Sequence, residues 1–157
     1  MQVTTGRISG SIFQLSGIEP IEQKGKVLPR TSILLADDNL AVLHYVSRML
    51  EKDYQVVGAL HDGESVLRDW RRLRPDLIVL DVSMGEPNGI EVARSLRDSG
   101  CDSRIIFLTI HQDPGFVKAA FDAGGSGYVV KSRISKDLAV AIDAALAGKH
   151  FVSPSAA

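Results

Sequence analysis

The sequence has one cysteine in 157 residues, Cys101. That count excludes an internal disulfide and suits a reducing compartment. No His/Asp constellation points to Cys101 as a nucleophile, so it reads as a small residue beside a turn. A charge excess of either sign is also missing, because 18 Lys and Arg face 19 Asp and Glu for a net charge of −1. Bulk electrostatics therefore give no reason to expect direct nucleic-acid binding by this chain, or a membrane surface as partner. No apolar run approaches the length of a membrane span. The opening stretch "MQVTTGRISGSIFQLSGIEP" lacks the sustained apolar segment of a secretory signal. Internal repeats and low-complexity tracts are absent too. These absences lead us to expect a soluble, cytoplasmic protein.

What is present is an ordinary globular composition, 45% hydrophobic and 24% charged, at a length that suits one domain. Residues 1–31 are rich in Gly, Ser, Thr and Gln and are broken by Pro20 and Pro29. They read as an N-terminal extension of unknown role, either with a short strand around Gly10–Leu15 or as a flexible lead-in. Residues 32–150 carry a regular pattern, and 151–157 read as a tail or the start of a linker.

Within the regular region, short apolar runs stand at Ile33–Ala36, Gln55–Ala59, Leu77–Leu80, Ile105–Leu108 and Gly127–Val130. Helical spacing separates them. Val42, Tyr45, Val46, Met49 and Leu50 share one predicted helix face, and Leu138, Ala141, Ile142, Ala145 and Leu146 share another. Looser versions run through Val66, Trp70 and Leu73, then Val92, Ala93 and Leu96, then Val117, Ala120 and Phe121. Continuously apolar strands alternating with helices predict an α/β fold. Specifically, we expect a doubly wound (βα)5 flavodoxin-like sandwich with parallel strand order 2-1-3-4-5.

Chemistry gathers where these runs end. Asp37 and Asp38 follow the first, Asp81 the third, Thr109 the fourth and Lys131 the fifth. In the expected strand order those four strands are neighbours, so all five residues reach one rim. Three carboxylates in such a space repel by roughly 4 kcal/mol per pair at about 4 Å in an intermediate dielectric. The cluster therefore calls for a cation, and its oxygen-rich character suits Mg²⁺ beside Lys131. A metal, a carboxylate and a lysine together make a site for a phosphoryl group, with the carboxylate as nucleophile.

The stretches "ILLADDN" (33–39), "LIVLDVSM" (77–84) with "NG" at 88–89, "IIFLT" (105–109) and "GYVVK" (127–131) resemble the receiver (CheY-like) domain of two-component response regulators. The likeness covers about residues 32–150. It implies that Asp81 is the phosphorylated residue and that Mg²⁺ is held by Asp37, Asp38, Asp81 and the backbone carbonyl of Ser83. It further implies that Lys131 pairs with the phosphoryl group and that Thr109 turns its hydroxyl onto it. Tyr128 would turn inward behind Thr109, changing the surface of the last helix and strand. The implied partners are a sensor histidine kinase and a downstream protein or attached output domain, with homodimer formation on phosphorylation as a further implication. Such a module catalyses only its own modification, not turnover of a metabolite.

Two positions depart from the family pattern. Gly85 stands where a proline is common, four residues after Asp81, and Ser132 stands where a proline, often cis, commonly follows the lysine. Lys-Ser and the tail "AIDAALAGKHFVSPSAA" are similar to receivers attached to helix-turn-helix domains of the NarL/LuxR type.

Plainer readings stand beside these. Asp37 and Asp38 taken alone are equally readable as caps of the first helix, Thr109 and Lys131 as a capped loop and a solvated charge, and Tyr128 as core. "GGSG" (124–127) reads as a helix stop. His111, two residues past Thr109, is placed to tune dephosphorylation, or is a solvated surface histidine. Two rival functions carry their own signatures. A haloacid-dehalogenase-like phosphatase would need a second Asp where Ser83 stands. A receiver-shaped module that is never phosphorylated remains the other.

Overall fold

In a computed structural model, residues 29–157 are described, so the strand expected around Gly10–Leu15 lies outside the described residues. Six parallel strands form one sheet in the order β2-β1-β3-β4-β5-β6. They are β1 (Ser32–Ala36), β2 (Gln55–Leu60), β3 (Leu77–Asp81), β4 (Arg104–Thr109), β5 (Gly127–Val130) and β6 (Phe151–Val152). Helices α1 (Leu40–Leu50), α2 (Gly63–Leu73), α3 (Gly89–Asp98), α4 (Pro114–Asp122) and α5 (Ile134–Leu146) connect the strands in turn.

The central strands are apolar on both faces because both faces are covered. One layer joins Leu34, Ile78, Leu80, Ile105, Phe107 and Tyr128 to α2, α3 and α4 residues such as Val66, Leu96 and Ala120. The other joins Ile33, Leu35, Val79, Ile106 and Val129 to Val46 and Leu50 of α1 and to Leu138 and Ile142 of α5. Strand β2 sits at the sheet edge and is only partly covered.

Three details differ from the expectation. The buried face of α1 is Leu43, Val46 and Leu50, whereas Tyr45 is 49% exposed. The sequence offers two overlapping apolar faces on this helix, and packing against β1 selects the one through Leu43. Leu146, at the end of α5, is likewise exposed. Last, Phe151–Val152 pairs in parallel with β5 as a sixth strand beyond the five expected. Two residues are too short a run to announce a strand by periodicity.

Candidate functional site

The sheet order makes β1, β3, β4 and β5 consecutive, so their carboxyl ends share one rim. Asp37 and Asp38 follow β1, Asp81 ends β3, Thr109 ends β4 and Lys131 follows β5. Asp37, Asp38 and Asp81 each offer a carboxylate oxygen within 4.8 Å of the other two. Asp37 and Asp81 are buried and Asp38 is exposed. Lys131 Nζ lies 2.8 Å from Asp37 Oδ2 and 3.4 Å from Asp81 Oδ2.

Local backbone explains why Asp37 and Asp38 do not cap α1. That cap is Asn39, whose side chain accepts from the N–H groups of Ala41 and Val42. Asp37 Oδ1 instead accepts the Asn39 N–H at 2.8 Å, which fixes the carboxylate toward the rim. On β3, Asp81 Oδ1 accepts the Ser83 N–H at 3.1 Å. The Asn88–Gly89 pair serves packing: Asn88 and Glu91 form a capping box at the start of α3. A side chain on Gly89 would collide with the Asp81 carbonyl, so the close approach requires glycine.

The electrostatics follow from burial and neighbours. Burial pushes the Asp81 carboxyl up to about 6, with the Asp37 charge as the second cause, while the Ser83 N–H and Lys131 act the other way. Burial pulls the Lys131 ammonium down, yet Asp37 and Asp81 together outweigh it and leave the group above its ordinary value. Among the described residues, Asp37 Oδ2 is buried and lacks a well-directed hydrogen-bond partner, with Lys131 Nζ 2.8 Å away. Three carboxylates against one lysine leave a formal charge of −2. An all-oxygen donor set of that charge, with one buried oxygen lacking a directed partner, fits a hard divalent cation such as Mg²⁺.

Thr109 is fully buried, and its hydroxyl accepts the His111 N–H at 3.1 Å. Tyr128 is also fully buried and donates its hydroxyl to the His111 carbonyl at 2.9 Å. Burial is the first cause raising the Tyr128 hydroxyl above its ordinary value. His111 is not a freely solvated histidine. Its Nε2 lies 2.8 Å from Ser83 Oγ, and its ring stacks on Phe116 at 4.1 Å between centroids. Ser83 itself is exposed at the mouth of the site. In the "GGSG" stretch the Gly125 N–H bonds the Ala120 carbonyl, which ends α4 as a helix stop should.

Some site neighbours were not foreseen from sequence. Phe116 had no signal beyond its place early in α4. Arg133 and Asp137 form an i, i+4 ion pair on the turn after Lys131 that spacing could have shown, but Ser153, fully buried against Asp137, carried no such signal.

Residues 33–143 match the response regulator receiver domain family. An uncharacterized transcriptional regulatory protein of Bacillus subtilis, YvfU, is 35% identical over 124 residues, 78% of this chain and 62% of that protein. The transcriptional regulatory protein DesR of Bacillus subtilis is 34% identical over 125 residues, with the same two coverages. The chain thus spans about three fifths of the length of these relatives. Among solved structures, a LuxR-family two-component response regulator from Aurantimonas sp. SI85-9A1 superposes with TM-score 0.76 at 38% identity, covering 80% of this chain and 91% of that one. The isolated REC domain of RcsB from Salmonella enterica serovar Typhimurium, with the phosphomimetic BeF3⁻, gives 0.74 at 27% identity, covering 81% and 96%. With sheet order, rim and sequence match in agreement, this chain belongs to the response regulator receiver domain family and is related to its NarL/LuxR-type regulators.

Proposed function

We propose that Asp81 accepts a phosphoryl group from a sensor histidine kinase, or from a small acyl phosphate, and that this changes the α4-β5-α5 surface to control a partner or an attached output domain. The observation that carries the reading is the rim itself: a buried strand-end carboxylate beside Asp37, with Lys131 Nζ reaching both. In the step, a carboxylate oxygen of Asp81 attacks phosphorus. The bond from phosphorus to the donor's imidazole nitrogen or acyl oxygen breaks, and the leaving group keeps its electron pair.

Asp37, Asp38, Asp81 and the Ser83 carbonyl are the residues that would hold Mg²⁺, which when bound supplies positive charge to the phosphoryl oxygens. Lys131 adds a second positive charge and is already held at the rim by Asp37. The Ser83 N–H orients the Asp81 carboxylate through Oδ1. The Thr109 hydroxyl bonds a new phosphoryl oxygen by turning from its present contact with the His111 N–H. That movement is felt at Tyr128, because Tyr128 is anchored to the carbonyl of the same histidine. A local charge change is thereby passed to α4 and β5.

Among the described residues no helix is long and apolar enough to cross a membrane, and the reading places the protein in the cytoplasm. Relatives named as transcriptional regulators support a transcription-regulating output. The test is incubation with acetyl phosphate, with and without Mg²⁺, read by intact mass beside Asp81→Asn. One added phosphoryl group, dependent on Mg²⁺ and absent in the variant, is the expected result. No adduct on a folded protein under any of these conditions would overturn the proposal.

A further inference from the structure

The turn that presents Lys131 is built without the proline common in the family, and its support comes from two other places in the chain. Lys131–Arg133 forms a single 3-10 turn leading into α5. Arg133 grips Asp137 with both ends of its guanidinium, Nε to Oδ2 at 2.7 Å and an NH2 group to Oδ1 at 3.1 Å. The Ser153 hydroxyl donates to the same Asp137 Oδ2 at 2.7 Å and accepts the N–H of Val130 at 3.0 Å. Val130 is the residue immediately before Lys131. Ser153 is 0% exposed and Asp137 5% exposed, so this is a buried polar network whose members satisfy one another.

Its position is informative. Beyond the β5–β6 pairing, the Ser153 N–H bonds the Tyr128 carbonyl at 2.9 Å, and the Ser153 hydroxyl takes the next free donor of β5. A carboxylate left buried here without Arg133 and Ser153 would be costly. A side-chain network in this place therefore fixes the backbone at Val130–Arg133, and with it the base of the Lys131 side chain.

We propose that Asp137 and Ser153 are positioning residues for Lys131: they brace the turn that holds the lysine at the phosphoryl site, and so tie residues 151–157 to that site. The inference rests on the reading of Lys131 as a phosphoryl-binding residue. Since coupling is reciprocal, phosphorylation that tightens Lys131 also tightens the hold on residues 151–157. The segment after α5 becomes a second readout of phosphorylation, separate from Thr109 and Tyr128.

The experiment compares wild type, Ser153→Ala, Ser153→Thr and Asp137→Asn, each checked for folding by circular dichroism. Phosphorylation by acetyl phosphate with Mg²⁺ is timed by intact mass, and Mg²⁺ binding is followed separately by thermal shift. Amide exchange is recorded at residues 130–133 and 151–157, before and after phosphorylation. Ser153→Ala and Asp137→Asn should slow phosphorylation roughly tenfold, as displacement of a positioned group does, with Mg²⁺ binding unchanged. Ser153→Thr, which keeps the hydroxyl, should restore the rate. Exchange at 130–133 should quicken in Ser153→Ala, and exchange at 151–157 should slow on phosphorylation of wild type. Wild-type rates in Ser153→Ala would overturn the inference, and so would an equal loss of Mg²⁺ binding or no rescue by Thr. A wild-type chain that takes no phosphoryl group sinks the proposed function instead. The exchange arm then decides the brace alone, and unchanged protection at 130–133 in Ser153→Ala overturns it.

Discussion

Replacing Asp81 with Asn should stabilise the Mg²⁺-free protein, and the gain should depend on pH. Burial first and Asp37 second raise the Asp81 carboxyl from 3.8 to about 6. A carboxyl raised on folding holds its proton more tightly in the folded chain, so ionising it opposes folding. The penalty is absent below 3.8, grows between the two values and is complete above about 6. At about 1.4 kcal/mol per pH unit, that displacement amounts to roughly 3 kcal/mol at pH 8 and about half as much at pH 5. Asn keeps an oxygen for the Ser83 N–H and can turn its amide toward Asp37, but Lys131 loses one of its two partners. The Lys131 attraction is already counted in the value of about 6, and exchanging a carboxyl for an amide among these partners returns part of the gain, leaving about 1–2 kcal/mol. Urea denaturation in EDTA at pH 8, 6.5 and 5 measures it. An Asn variant less stable than wild type at pH 8, or a gain no larger at pH 8 than at pH 5, would refute the reasoning.

Mg²⁺ should raise the thermal midpoint of wild type and leave Asp81→Asn nearly unmoved; at a hundredfold excess over Kd the gain is about 2.7 kcal/mol, and EDTA should reverse it. Gly89→Ala should cost about 1–3 kcal/mol by driving a methyl group into the Asp81 carbonyl, visible in denaturation and as slower phosphorylation. Thr109→Ala should still accept a phosphoryl group by mass, but amide exchange in α4 and β5 should change less on phosphorylation than in wild type. Asp137, held below its ordinary value by Arg133 first and by Ser153 as well, contributes stability that is present above 3.8 and lost as pH falls through its lower folded value. Asp137→Asn should therefore cost about 2 kcal/mol at pH 7 and flatten acid unfolding below about pH 4.

Which of these features the sequence could show depends on how local their cause is. Each buried strand is a continuous apolar run, and the first charged or hydroxyl residue after it stands at the sheet's carboxyl edge. Asp37, Asp81, Thr109 and Lys131 were therefore readable as one rim once the strand order was assumed. The face of α1 was not readable in the same way, because Val42–Tyr45–Met49 and Leu43–Val46–Leu50 both satisfy helical spacing. Only the position of β1 beneath the helix chooses the second. His111 could be placed near the site from its spacing to Thr109, but its contacts could not: those with Ser83, Phe116 and Tyr128 join three separate elements, and no spacing rule joins them in advance. Ser153 is the extreme case, a small polar residue near a proline whose burial depends on a two-residue strand.

The two departures from the family pattern show how the same rim can be held by other means. Gly85 has φ +84°, a left-handed conformation that proline, fixed near −65°, cannot adopt. The loop after Asp81 thus takes a path that a proline at 85 would forbid. Its cis proline comes two residues later, at Glu86–Pro87. At the lysine, Ser132 is joined through a trans peptide, the form a non-proline bond strongly prefers. The approach is set instead by Arg133 on Asp137 and by Ser153 on the Val130 N–H. A ring constraint within one residue has been replaced by contacts with α5 and with residues 151–157. Ser132→Pro should therefore not restore the phosphorylation rate of Ser153→Ala, timed by intact mass with acetyl phosphate, and a restored rate would show that the contacts of Ser153 are not what holds Lys131.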